Sequence, residues 1–173
     1  MDCSSVTLNN ILASCEQSVG GIKRILIANR ASVTPTAPDS TSGIIKTITL
    51  ASTEKFKQWT FRKGTGNYTS TVSVDEAIGN SSCTTECSLQ FSKAEAEKRL
   101  AIQSAINADA VVIIEDSYGQ YVYLGYDYPV HITNAVMQSG TATSDLSGFT
   151  LTFTDNSVEL PYFVDASIIA DLL

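Results

Sequence analysis

At 173 residues, 43% of them hydrophobic, the chain is long enough to bury the core of one ordinary domain. A formal net charge of −7 excludes a general binder of nucleic acid or of anionic membrane, because both need cationic surface. No apolar run approaches the ~20 residues of a membrane-spanning helix. The N-terminus shows no basic stretch followed by an apolar one, so no secretory signal is expected and a cytoplasmic origin is.

In chain order, residues 1–19 read as an N-terminal arm with a short helix over Leu8 to Cys15, ahead of the Gly20-Gly21 break. Such a helix is too short to stand alone. Ile22 to Val33 alternates with apolar residues on both faces, the pattern of a buried strand. Thr34 to Gly43 is polar and holds two prolines, and reads as a loop free to move or to meet a partner. Ile44 to Leu50 and Lys55 to Lys63 read as strands, the second carrying Trp59, Phe61 and the basic knot Lys55, Lys57, Arg62 and Lys63.

Asn67 to Ser92 reads as a long two-faced hairpin. Tyr68, Val72 and Val74, with Ser70 between them, point one way, and Cys83, Thr85, Cys87, Leu89 and Phe91 share that face after a turn at Ala77-Ile78-Gly79-Asn80. The alternation of strand side chains puts Thr69, Thr71, Ser73, Asp75, Thr84, Glu86, Ser88 and Gln90 on the other face. That second face carries hydroxyls and acids and no apolar residue. The first must cover something apolar; the second is shown to water.

A helix follows over about residues 93–108, with Ser92 and Glu95 as a capping box and Ala94, Ala101, Ile102, Ala105, Ile106 and Ala108 on one stripe. Ala110 to Glu115 and Gln120 to Tyr126 form a hairpin about Ser117-Tyr118-Gly119. Val130 to Gln138 and Phe149 to Phe153 are further strands, and residues 161–173 form a C-terminal arm with a short helix capped by Asp165. The sum is an α+β, mainly β fold: a sandwich or barrel-like domain over 20–160, one flanking helix and a long hairpin.

Catalytic chemistry finds few carriers. His131 is the only histidine and has no nucleophile motif near it. Asp75-Glu76, Glu115-Asp116 and Asp127 sit at strand ends and turns, where acids serve solubility and turn formation. A glycosidase pair among them is not singled out. Cys3, Cys15, Cys83 and Cys87 lack zinc spacing, and Cys83 and Cys87 on one extended strand lie about 13 Å apart, too far for a disulfide. All four are expected as free thiols. Gly64-Thr65-Gly66 is a turn rather than a phosphate cradle, since no helix opens after it. The Trp59-Phe61 pair and the tyrosines from Tyr118 to Tyr128 suit core packing or a subunit interface before a ligand platform. No cofactor and no metal is expected.

Several stretches together resemble one family. They are Gly20-Gly21-Ile22-Lys23-Arg24 opening a strand, Trp59-Thr60-Phe61-Arg62-Lys63-Gly64-Thr65-Gly66, and the Thr/Ser-alternating hairpin. Phe91-Ser92-Lys93-Ala94-Glu95, Glu115-Asp116-Ser117-Tyr118-Gly119-Gln120-Tyr121 and Gly148-Phe149-Thr150-Leu151-Thr152-Phe153 complete the set. From Gly20 onward the chain is similar to the tail tube proteins of tailed bacteriophages. The resemblance implies a structural protein of the virion tail, assembled in the host cytoplasm as stacked homohexameric rings that meet other tail proteins. Four strands per subunit would join into a lumen through which genomic DNA passes unbound, with no membrane partner. It implies that Lys55–Lys63 and Asn67–Ser92 build the lumen, that the loop residues Thr34, Pro35, Pro38 and Asp39 reach toward the next ring, and that the N- and C-terminal arms reach toward neighbouring copies. Arg62 fits this poorly, because a cation in the bore retards DNA; it must pair with an acid such as Glu86 or face away. The alternatives are a ring-forming tail terminator or neck protein, and a hydrolase or carbohydrate-binding domain using the acidic pairs and tyrosines.

Overall fold

A computed structural model describes residues 9–173 apart from Glu16, Ser52, Glu76 and Ile78. The architecture follows from two kinds of strand. β1 (Ile22–Asn29) and β8 (Ala110–Asp116) are apolar on both faces, and β6 (Gly66–Asp75), β7 (Asn80–Ser92) and β11 (Gly148–Ser157) on one. A doubly apolar strand must be covered twice. Accordingly, β1 and β8 lie side by side inside a six-stranded sheet with β9 (Tyr121–Leu124), β12 (Tyr162–Val164) and β3 (Ile44–Ile45) on one side and β5 (Lys57–Thr60) on the other.

One face of this sheet, with Ile25, Ile27, Val112, Ile114 and Leu124, packs against Leu89, Phe91, Leu151 and Phe153 of a four-stranded sheet ordered β10-β11-β7-β6, where β10 is His131–Gln138. The other face, with Leu26, Val111, Ile113 and Tyr123, is covered by the ribbon of β2 (Val33–Pro35) and β4 (Ile48–Leu50), by Phe56 and by the C-terminal helix α2 (Ile169–Leu172). The register of the hairpin follows from this burial. Each of Leu89, Leu151 and Phe153 gains roughly 1.5–3 kcal/mol inside, and a one-residue slip would turn all of them to water.

The fold is mainly β, as expected, and none of its sheets closes into a barrel. The expected strand Ile22 to Val33 is interrupted by a single 3-10 turn at Arg30–Ser32, with Asn29 accepting from the Ala31 N–H, so that Val33 starts a separate strand. Ile44 to Leu50 divides in two. Its first half pairs with β12 and its second with β2, because Ile45 and Ile48 serve the same core from different partners. The strand expected over Lys55 to Lys63 shortens to β5.

The helix α1 is Ala96–Ile106, shorter than 93–108, and the capping box does not form. Ser92 ends β7, Lys93 takes φ 66°, and Glu95 stands at the N-cap with its carboxylate on Lys93 and Lys98 rather than on the backbone. Of the helix expected over Leu8 to Cys15, Leu8 lies outside the described residues; 9–15 are exposed and have no helix. Residues 161–173, expected as an arm, pack into the domain. β12 pairs with β9 and β3, Asp165 caps the Ser167 N–H, and Ile169 and Leu172 are buried.

Candidate functional site

The outer face of the four-stranded sheet is the feature with the most consistent chemistry. Pairing of β6 with β7 places Thr69 opposite Glu86, Thr71 opposite Thr84, Ser73 opposite Ser82 and Asp75 opposite Asn80. Pairing of β7 with β11 continues the rows: Gln90 with Thr150, Ser88 with Thr152, Glu86 with Thr154 and Thr84 with Asn156. β10 then adds Val136, Asn134 and His131. All eight hairpin residues expected on one polar face are therefore together on one.

The alternation of Thr150, Thr152 and Thr154 with Phe149, Leu151 and Phe153 is the sequence signal for β11's share of the face. β10 gave no comparable signal, since its residues are exposed on both faces along most of its length.

Neighbouring rows satisfy one another in part. Thr84 donates to Asn156 Oδ1 at 3.2 Å, and the hydroxyls of Thr133 and Thr154 lie 2.9 Å apart. No lysine or arginine occurs in any of the four strands. Their outer face carries two carboxylates, Asp75 and Glu86, amid hydroxyls and amides. Asp75 also closes the hairpin by accepting from the Ala77 N–H at 3.0 Å. Such a face offers no lysine or arginine to an anionic polymer; its one imidazole is His131, on the edge strand opposite Thr154.

β5 belongs to the other sheet, so Lys55 to Lys63 does not build this surface with the hairpin. Arg62 follows β5 in a loop, where its carbonyl accepts from the Thr65 N–H at 3.2 Å. Among the described residues no ion pair joins it to Glu86; it belongs to none of the four strands but lines a hollow with Gln90 and Asp145 at the border of the polar face.

The sheet has two uncovered edges. Among the described residues, β6 and β10 each pair on one side only. On the core-facing side, Val72 and Val74 near one edge and Met137 at the other are exposed, at 43%, 65% and 63%.

The loop Thr34 to Gly43 is less free than its composition suggests. Thr34 and Pro35 are in β2. Asp39 accepts from the N–H groups of Thr41 (2.9 Å) and Ser42 (3.0 Å) and from Lys46 Nζ (2.6 Å). The Lys46 hydrogen bond, reinforced by the two backbone donors, holds the Asp39 carboxyl well below the usual carboxylate range. Thr36 N–H to Thr47 and Asp39 N–H to Ile44 brace the two sides. Pro38 and Asp39 lead a turn that is tied back on itself.

Two buried charges lie elsewhere. Glu115, 3% exposed, accepts from Lys23 at 2.7 Å and from Arg24, which also reaches Gln58 at 3.0 Å. Burial pushes the Glu115 carboxyl up, but the Lys23 and Arg24 hydrogen bonds together hold it below its ordinary value. Asp155, 2% exposed, faces inward from β11 opposite the buried Thr85, whose hydroxyl meets Ser70 at 2.8 Å. Among the described residues, Asp155 Oδ1 and the Tyr123 hydroxyl are buried without a hydrogen-bond partner, and burial raises both groups. Arg30 is committed nearby to the carbonyls of Gly125, Tyr126 and Asp127. Sequence reading missed Asp155, although an acid in the last alternating strand's inward register marks it.

The other acids and aromatics have structural work. Asp116 Oδ1 accepts from Tyr118 and Gln120 in the β8–β9 turn, and Asp127 from the Val158 N–H. Trp59 and Phe61 each meet Phe91 edge-on, and Tyr126 meets Tyr123 and Tyr162 edge-on. His131 is exposed. Cys15, Cys83 and Cys87 are free thiols, the last two buried, with burial pushing Cys87 up to about 12; Cys3 lies outside the described residues. No group of three or more metal-ligating side chains occurs among the described residues, and no helix there is long and apolar enough to cross a membrane.

The chain matches no family model, and no curated protein or solved structure is significantly similar to it.

Proposed function

We propose that this chain is a structural protein of a phage tail that assembles into stacked hexameric rings, with the polar face of the four-stranded sheet lining the bore of a tube. The observation that carries the reading is that face: four strands wide, without lysine or arginine, bearing Asp75 and Glu86 among hydroxyls and amides, with His131 and Val136 on the edge strand β10. The resemblance to tail tube proteins agrees with it.

Assembly gives the sheet's edges a use. The unpaired N–H and C=O groups of β6 in one copy meet those of β10 in the next, and Val72, Val74 and Met137 come under cover. Six copies of a four-stranded sheet supply ~24 strands, and at ~4.8 Å between strands the wall is ~115 Å around and ~37 Å across. Side chains take ~5 Å from each wall, leaving a bore that admits duplex DNA. A duplex carries one negative charge per ~1.7 Å, and this wall repels it weakly, over about 10 Å at 0.1 M salt. Passage without attachment requires such a surface.

Charge reversal tests the lining. Asp75→Lys with Glu86→Lys is expected to leave tubes intact, since neither side chain enters the core, and to slow DNA ejection from virions carrying the variant. Lost assembly with normal ejection through the surviving tubes would place the opposite face of the sheet inward.

A further inference from the structure

The polar face ends at a cation. Arg62 lines a hollow of about 370 Å³ at the end of the sheet opposite the hairpin turn, where β6 begins at Gly66, β7 ends at Ser92 and β11 begins at Gly148. Gln90 and Ser92, the last outer-face residues of β7, share the wall of this hollow with Ser144 and Ser147. Among the described residues, no side-chain hydrogen bond or ion pair engages Arg62, Gln90, Ser92, Ser144 or Ser147. Together they offer a guanidinium, an amide and three hydroxyls to one space.

The acid in the hollow is Asp145. The N–H groups of Ala142 and Thr141 donate to its Oδ2 at 2.8 and 2.9 Å and hold the carboxyl below its ordinary value. It is therefore ionised at neutral pH and offsets part of the Arg62 charge without pairing with it. The acids of the face are farther off. From Gln90 to Glu86 the strand runs ~13 Å, and from Gly66 to Asp75 ~30 Å, both beyond the Debye length of about 10 Å at 0.1 M salt. The wall's own carboxylates thus leave Arg62 able to act on an anion from outside. Phosphate oxygens accept from arginine, serine and glutamine side chains alike, and a planar guanidinium matches a phosphate with two donors at once.

We infer that Arg62, with the amide and hydroxyls around it, forms a contact for the backbone phosphates of duplex DNA at one rim of the bore. The inference rests on the tube reading and adds the one level of each ring at which DNA is held. Six copies set six guanidinium groups around that rim, ~19 Å apart on a wall ~115 Å around. The hold is weak, because each copy brings one cation discounted by Asp145. DNA then meets attraction at the rim of each ring and none along the strands between rims.

Co-sedimentation of a short fluorescent DNA duplex with tubes of the full chain tests it. With two phosphates engaged, retention is expected to fall about tenfold between 50 mM and 200 mM salt. Arg62→Gln should lower retention at 50 mM salt by about tenfold, and Lys57→Gln, in the other sheet, by less than about twofold. Asp145→Asn keeps an acceptor for the two N–H groups and removes the competing charge, and should raise retention about threefold. Light scattering on the same samples separates the two claims. Arg62→Gln tubes that hold the duplex as the wild type does, or wild-type tubes that hold none at 50 mM salt, overturn the phosphate contact alone. Arg62→Gln chains that no longer form tubes place Arg62 between copies and overturn it as well. Wild-type monomers at every concentration overturn it together with the tube reading.

Discussion

Asp155 is the residue whose chemistry least matches its surroundings. Its carboxyl is 2% exposed and leaves Oδ1 without a partner. Burial raises its folded-state pKa above the ordinary value near 3.8. The folded chain therefore holds this proton more tightly than the unfolded one, so the stabilisation is complete below the ordinary value and is lost as pH rises through the folded value. Asp155→Asn removes the charge and keeps an acceptor. It is expected to raise Tm by roughly 2–4 °C at pH 8, for a gain of about 1 kcal/mol, and to change it little at pH 4. An equal shift at both pH values would mean that the charge is not what costs stability.

Glu115 has the opposite sign. Its folded pKa is lowered by Lys23 and Arg24 against the cost of burial. Its contribution is present above the unfolded pKa and is lost as pH falls through the folded value. Glu115→Gln strands Arg24 beside a neutral amide and is expected to cost about 3 kcal/mol in denaturant unfolding at pH 7, with a smaller loss at pH 3. A cost that does not shrink in acid would assign the residue's role to packing.

At the scale of elements, the seam between β7 and β11 holds the polar sheet together, and its tightest point is Gly148. A Cβ there would stand 1.9 Å from the Phe91 carbonyl oxygen, which is backbone and cannot rotate away. Gly148→Ala is expected to destabilise the fold by about 3 kcal/mol or more, read as a lower denaturant midpoint, because it forces this seam apart. A near-neutral result would mean that the seam can shift to admit a methyl group.

The same seam shows what was legible beforehand. Alternation alone placed Thr69 to Asp75 and Thr84 to Gln90 on one face, because burying Leu89 and Phe91 on the other leaves a strand no freedom. The apolar residues on both faces of Ile22 to Ala28 likewise announced a buried strand, β1. What was not legible depended on distant partners. β5 sits in the other sheet because Ile25 and Leu26 of β1 select Trp59 and Gln58 as neighbours, a choice no local pattern records. The Ser92–Glu95 cap fails because the chain must leave β7 through Lys93 at positive φ, and Glu95 finds Lys93 and Lys98 first. The Asp39 turn and the docked C-terminus were hidden for the same reason: Lys46, Phe56 and Ile45 supply the partners.

At the scale of the whole molecule, the sandwich divides its labour. The six-stranded sheet is covered on both faces and carries the fold. The four-stranded sheet is covered on one and, among the described residues, ends in two unpaired edges with apolar side chains beside them. An open sheet of this kind invites a neighbour of its own kind, and its outer face is chemically suited to leaving a passing polyanion alone. The central claim is that copies join edge to edge into rings that stack. Negative-stain micrographs of the purified chain, with light scattering on the same sample, test this most directly. The account predicts six-fold rings and stacked tubes with a mass of at least six protomers. A monomer at every concentration and salt condition, with neither rings nor tubes, would contradict it.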